Sequence, residues 1–175
     1  MLKSSHIFLI IVLFGCIACN KNSKYKGYSE NANGLFYKLQ MIGEGKRKPT
    51  AGDFLQLVIT YKTEKDSVFL ESCSYNETGM VILPFKQSSF KGSFEEGLVS
   101  MNEGDSVSFI VNSDSLFHRF FKTPVPFFLA MDSVVKMEVK LHKILNKEEY
   151  ATELRRFQLM IEDRDIEEQR KLRTY

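Results

Sequence analysis

The sequence contains no tryptophan, only three cysteines and only four prolines among its 175 residues. Two of the cysteines lie near the N-terminus, so Cys73 has no partner for an internal disulfide in the rest of the chain, and we expect it to be a small, partly buried side chain. The three histidines are scattered, which gives no spacing typical of a metal site, and no cofactor is implied. The formal net charge is only +2, with both signs interspersed, which argues against nucleic acid as a partner.

Aromatic residues are abundant instead, with fifteen phenylalanines and seven tyrosines. Aromatic side chains at this density fill a β-rich core or line an apolar pocket. The sequence therefore favours a packed globular domain with a large aromatic component.

The first fifteen residues predict a removable export signal. Lys3 supplies a short basic region, and residues 7–14 form an apolar run well below the roughly 20 residues of a spanning helix. Residues 13–16, Leu-Phe-Gly-Cys, then resemble the lipobox of bacterial lipoproteins, in which the cysteine is acylated after cleavage. We therefore expect Cys16 to carry the lipid, with Cys19 as a rival, and residues 16–33 to form a lipidated tether. An uncleaved anchor or a plain secreted protein are the remaining alternatives.

Strand patterns dominate residues 34–145, which we predict to be one domain. Residues 54–61, 67–71, 80–85, 105–112 and 134–144 have the composition of short strands. In the last of these, alternation predicts one buried face, formed by Val135, Met137, Val139 and Leu141. The same alternation in the first strand of the domain predicts that Leu35, Tyr37, Leu39 and Met41 share one side.

Two helices are predicted. Residues 93–101 have Ser93 as a candidate N-cap, with Phe94, Leu98 and Met101 at helical spacing. Residues 146–175 lack glycine and proline and carry an amphipathic stripe, so they predict a charged C-terminal helix. That helix either docks its first half on the domain or serves dimerisation or partner binding.

The stretch from Phe90 to Asp105 resembles the helix signature of FKBP-type peptidyl-prolyl isomerases, G-[FW]-E-E-[GA]-L-x-x-M-x-x-G, with one extra residue before Phe94. Supporting motifs fall in the family's order, at Gly52-Asp53, at residues 58–61, at residues 67–69, at residues 113–117 and at residues 137–141. The resemblance implies an α+β, FKBP-like fold over residues 34–145, with an antiparallel sheet wrapped around one short helix. Together, the lipobox, the divergent domain and the charged helix resemble envelope lipoproteins of Bacteroidetes-type bacteria.

The resemblance also implies a substrate pocket and an activity. The residues that match pocket positions of the family are aromatic or apolar, namely Tyr61, Phe69, Phe90, Phe94, Phe117 and Met137. Several positions depart from the family pattern: Leu70 replaces an acidic residue, Phe117 a tyrosine, His118 a glycine, and Met137 an aromatic residue. Because fixed polar groups are lost, peptide binding is better supported than fast catalysis.

The function implied is a lipid-anchored prolyl isomerase that assists exported proteins at the inner or outer membrane, on the periplasmic or outer surface. Its partners would be proline-containing or unfolded polypeptides, and the C-terminal helix would also allow oligomerisation. The alternative is a non-catalytic FKBP-like binding module or chaperone. The loop at residues 118–129 contains two prolines and four phenylalanines, which either form an apolar lip for clients or close the core.

Overall fold

The computed structural model describes residues 23–74 and 79–173. One antiparallel sheet dominates it, in the order β1-β2-β6-β7-β3-β4, with β5 pairing to β3. Its strands are β1 (Ser29–Glu30), β2 (Phe36–Met41), β3 (Phe54–Lys62), β4 (Val68–Glu71), β5 (Val81–Pro84), β6 (Ser106–Asn112) and β7 (Val134–Leu145). The helices are α1 (Phe94–Leu98), α2 (Ser113–Ser115), a π-helical turn (Leu116–Phe121) and α3 (Lys147–Arg173), and two short 3₁₀ turns occupy Ser72–Ser74 and Phe127–Leu129. The predicted α+β architecture is confirmed.

The two central strands, β3 and β7, place alternate side chains in the core. Every second residue of β3 from Leu55 to Tyr61 is buried, and the predicted inward face of β7 is buried as well. Their outward faces carry charged residues such as Lys62 and Glu138, which form an ion pair. The period of two therefore predicted the buried face of β7 correctly, and β3 shows the same alternation, because both strands have one face covered and one in water.

Helix α1 lies against the inner face of the sheet. Phe94, Leu98 and Met101 are buried as predicted, and Gly97 lies so close to the ring of Phe109 that a Cβ atom at this position would clash with it. The helix ends at Leu98, earlier than predicted, and turns continue to Met101. Ser93 occupies the N-cap position, but its side chain makes no capping hydrogen bond; its hydroxyl is buried without a partner.

Strand β2 differs from its predicted pattern. Only Leu35, just before the strand, is buried, whereas Tyr37 and Leu39 are 40–49% exposed. A bulge between Leu39 and Met41 shifts the register, so Met41 pairs with Ser106 and lies on the opposite face from Leu39, against the prediction that they share one side. Helix α1 has five residues and is therefore only about 7.5 Å long. It covers the centre of the sheet and leaves the edge strand open.

The segment before β2 packs on the outer face of the sheet. Tyr25 makes an edge contact with Phe36 at 4.9 Å, and the Tyr28 hydroxyl lies 2.7 Å from the Ser108 hydroxyl. Ser29 and Glu30 then pair with β2. Part of the expected tether at residues 16–33 is therefore structured, and Cys16, Cys19 and the signal lie outside the described residues.

Helix α3 contacts the domain chiefly through its first turns. Tyr150 stacks on Phe54 with ring centroids 4.0 Å apart, and the side chains of Asn146 and Glu149 cap the helix start. Leu154 and Phe157, in contrast, remain 40–43% exposed, and no residue of the helix is buried. The expected docking of its first half thus reaches little beyond Tyr150. No helix in residues 23–74 and 79–173 is long and apolar enough to cross a membrane.

Candidate functional site

Four of the predicted pocket residues converge at one end of the sheet. Tyr61 at the end of β3 lies beside Met137 of β7 on one side and Leu70 of β4 on the other. Phe69 approaches Tyr61 with a ring distance of 6.2 Å, and Phe94 belongs to the same core. The sheet register thus builds an aromatic cluster from segments far apart in sequence.

Two further positions complete or adjoin this aromatic cluster. Phe117, on the π-helical turn, is 7% exposed and belongs to the same buried core as Tyr61 and Met137. Phe90 is also buried in the core, but within the described part of the chain it joins none of the ring contacts described here. The structure therefore brings five of the six predicted residues together, and a role of these residues in substrate binding stays a prediction.

Two rings from the same chain fill the space between these residues. Phe121 lies 5.8 Å from the ring of Tyr61 and 5.3 Å from that of Phe117. Phe120 packs edge-on against Phe94 at 5.0 Å and touches Phe121 at 5.2 Å. Both rings are partly buried against the core. We call this pair the phenylalanine plug.

The plug is held by an unusual backbone. The turn from Leu116 to Phe121 is π-helical, a rare form that often occurs at functional sites. It ends at Lys122, whose φ of 59° lies in the left-handed region that non-glycine residues rarely adopt. The amide of Thr123 donates to the carbonyl of Phe117 at 3.0 Å, which closes the turn. The plug is therefore carried by a turn that ends in one residue with a strained backbone conformation, Lys122.

Outside the plug, apolar side chains remain in water. Phe127 and Met131 are each 96% exposed and Phe128 is 59% exposed, while Val68 stands 50% exposed on β4. The ring of Phe128 touches Phe69 at 5.4 Å, which connects these side chains to the aromatic cluster. We call Val68, Phe127, Phe128 and Met131 the apolar lip. Phe120 and Phe121 thus help to close the core, whereas Phe127 and Phe128 stay exposed, and a role of the exposed pair in client binding stays a prediction.

The chemistry available at this site is apolar. Leu70, which stands where the family pattern has an acidic residue, sits across from Tyr61, and Met137 is fully buried. Cys73, expected to be partly buried, is exposed, and its hydrogen bond to Glu71 raises the pKa of its thiol, which disfavours the nucleophilic thiolate. No group of metal-ligating side chains occurs among the residues described. Such a site suits reactions that need an apolar surface and no acid, base or nucleophile.

Comparison with known proteins agrees with the sheet and the short helix. The model of the family "FKBP-type peptidyl-prolyl cis-trans isomerase" matches residues 45–142, more than half of the chain. The chain belongs to this family. The match contains the sheet from β3 to most of β7, helix α1 and the π-helical turn, and FKBP-type domains bind proline-containing peptides.

Solved FKBP-type structures share the fold. FkpA from Escherichia coli aligns with a TM-score of 0.53 and 19% identity, covering 72% of this chain and 55% of that chain. A peptidyl-prolyl cis-trans isomerase from Pseudomonas syringae pv. tomato str. DC3000 aligns with a TM-score of 0.51 and 16% identity, covering 70% and 84%. At these identities the likeness is one of fold, and the chain spans only about half the length of FkpA. A search of curated proteins found no match.

The plug is the feature of this FKBP-type domain that sequence reasoning did not place. Phe120 follows Leu116 by four residues, and Phe121 follows Phe117 by four residues, a spacing typical of one face of a helix. That signal was present inside a segment that its prolines marked as a loop. The plug rings turn inward because the π-helical turn puts them on the same face as Phe117.

Proposed function

We propose that the chain is an FKBP-type prolyl isomerase that assists the folding of exported proteins and is held on a membrane by a lipid on Cys16. The observation that supports the client-binding part is the apolar lip, which leaves Phe127 and Met131 almost fully in water. Exposed apolar patches larger than a few hundred Å² often mark interaction sites. The lip lies directly beside the aromatic cluster, where a captured chain would meet it.

The aromatic cluster is suited to bond rotation. Rotation about a peptide bond has a barrier of about 18–20 kcal/mol, and proline isomerisation takes tens of seconds or longer without a catalyst. The twisted transition state has lost amide resonance and its charge separation. A buried, apolar surface such as that of Tyr61, Phe94 and Met137 therefore stabilises it more than the planar ground state.

The anchor follows from the sequence features of the N-terminus. With the lipid on Cys16, the proposed tether to Tyr25 spans nine residues, or at most about 30 Å when extended. Such a tether would keep the lip within reach of chains that emerge at the membrane. This arrangement agrees with an envelope lipoprotein of the Bacteroidetes type, on either membrane of the cell envelope.

A refolding assay tests the catalytic proposal. The purified chain is added to a protein whose refolding is limited by proline isomerisation, and the slow phase is followed by fluorescence. We expect acceleration, reduced by Phe128→Ala because the lip loses a client contact, and unchanged by Leu159→Ala, an exposed leucine of α3. No acceleration at micromolar protein would contradict catalysis.

Palmitate labelling tests the anchor. In cells supplied with labelled palmitate, the chain and Cys19→Ala should incorporate label, and Cys16→Ala should not. Label that persists in Cys16→Ala and disappears in Cys19→Ala would assign the lipid to Cys19. Absence of label from every form would contradict lipid anchoring.

The phenylalanine plug favours a second candidate, a non-catalytic FKBP-like chaperone. Phe120 and Phe121 occupy the space between Tyr61, Phe94 and Phe117, so a proline ring could enter only by displacing them. The lip, in contrast, needs no displacement to bind apolar chains. This candidate predicts suppression of client aggregation with no change in the slow refolding phase, and failure to bind unfolded chains would contradict it.

A further inference from the structure

A groove lies between α1 and the β2 side of the sheet, whereas the aromatic cluster is built mainly on β3, β4 and β7. Its volume is about 420 Å³, within the range of ordinary ligand sites. Its apolar lining is formed by Tyr37, Leu39 and Ile42 on the β2 side, by Gly97 and Met101 on the helix side, and by Phe109. Polar side chains, among them the carboxylates of Glu96 and Asp105, also line it. None of these residues belongs to the aromatic cluster or to the apolar lip.

The β2 wall of this groove is exposed apolar surface. Tyr37 is 40%, Leu39 49% and Ile42 76% exposed. Tyr37 and Leu39 line the groove from the inward face of β2, and Ile42, just past the end of the strand, joins them because the bulge between Leu39 and Met41 shifts the register. A ligand in the groove would therefore lie parallel to β2.

The backbone beside this wall has an open strand edge. In the described part of the sheet, β1 pairs only with Phe36 and Tyr37, and no strand continues along the remainder of β2. The amide of Asn31 donates to the carbonyl of Leu35, which shows that Leu35, and by alternation Tyr37, turn their backbone groups toward the β1 side; this alternation holds up to the bulge that follows Leu39. By antiparallel alternation, the N–H and C=O of Leu39 face the free edge.

An open edge and an apolar groove together select one kind of occupant. An extended polypeptide would use the unpaired backbone groups at Leu39 as an added strand and place alternate side chains in the groove. A helix has its backbone groups paired internally and leaves the edge unsatisfied. An extended segment can pair with the free backbone groups of Leu39, and a helical partner cannot.

We infer that the β2 edge and the adjoining groove form a second polypeptide-binding site, which takes an extended client segment with alternating apolar side chains and needs no proline. The inference extends the proposed client-binding function, but it does not depend on isomerase activity. Two separate sites would hold one unfolded chain at two points, which raises its local concentration at the aromatic cluster.

The test uses the full chain and a short synthetic peptide of alternating valine and threonine, flanked by lysines and free of proline. Fluorescence anisotropy of the labelled peptide measures affinity for the chain, for Leu39→Pro and for Leu39→Ala. Both variants remove the same side chain, but only proline removes the edge N–H, and proline is tolerated at strand edges because that N–H serves no ladder hydrogen bond. Leu159→Ala on α3 is the distant control.

We expect the peptide to bind, and Leu39→Pro to bind it at least about fivefold more weakly than Leu39→Ala, the effect of about one lost hydrogen bond. Equal affinities of these two variants, or no binding to the unaltered chain, would overturn the inference. Amide NMR on the unaltered chain adds a check that needs no variant. Shifts should appear at Tyr37 and Leu39, and shifts confined to Tyr61 and Phe121 would refute the second site. If the unaltered chain binds the peptide at this edge but does not accelerate proline-limited refolding, the proposed isomerase function is contradicted and this inference stands.

Discussion

Replacing Phe121 by alanine should open the aromatic cluster to a proline ring. The ring of Phe121 lies within 6 Å of three others, those of Tyr61, Phe117 and Phe120, and is partly buried against the core. Removing it destabilises the folded chain, because these contacts are lost. It also removes the group that a ligand must displace, so the same contacts that stabilise the chain oppose binding.

The size of both effects follows from the burial of that ring. A fully buried phenylalanine replaced by alanine costs about 3–5 kcal/mol. Because Phe121 is only partly buried, we expect a loss of about 2 kcal/mol in the free energy of unfolding. If the ring must leave completely before a proline enters, the gain in affinity is at most the same amount, or about 30-fold.

Two measurements on the same preparation test this reasoning. Urea unfolding should show the stability loss, and binding of a proline-containing peptide, together with the refolding assay, should show the gain. Phe157→Ala on α3, where the ring is 40% exposed and away from the site, is the matched control and should change neither. Loss of stability with unchanged or weaker peptide binding would show that Phe121 is core and not a plug.

Phe117→Tyr should raise isomerase activity by up to about tenfold in the refolding assay, because a hydroxyl group that donates to the substrate carbonyl contributes about 0.5–1.5 kcal/mol. A lower rate would show that residue 117 does not face the substrate carbonyl. Burial opposes ionisation of Asp53, but hydrogen bonds from Thr50 and the charge of Arg47 outweigh it and lower its pKa below the ordinary value of 3.8. The stabilising contribution of the ionised carboxyl is therefore complete above pH 3.8 and is lost as the pH falls through the lowered pKa. Asp53→Asn should lower the free energy of unfolding near neutral pH and make it depend less on pH in the acid range. An unchanged dependence of the free energy of unfolding on pH would contradict this. Gly97→Ala should destabilise the fold by about 1–3 kcal/mol in urea unfolding, because its Cβ would meet the Phe109 ring, whereas Ser100→Ala, on the exposed end of the same turn, should change little.

The strands and the family were predictable because they depend on local patterns. The alternation in residues 134–144 places Met137 and Val139 inward whatever covers them, since a strand's side chains have a period of two. The helix signature around Phe94 is contiguous, so it is visible without a fold. The exposed state of Tyr37 and Leu39 was not predictable, because it depends on how far a five-residue helix reaches across the sheet.

The sequence by itself determined which side chains form the apolar face of the strand at residues 134–144 and where the short helix begins. It also determined which six positions match the pocket of the family. Only the tertiary structure decided that Phe120 and Phe121 fill the space between those residues while Phe127 stays in water. The physical reason is that a loop phenylalanine has no period of its own. Its burial is decided by the backbone turn that carries it, here a π-helical turn closed by Lys122 in the left-handed region, and by the cavity that the distant strands leave open.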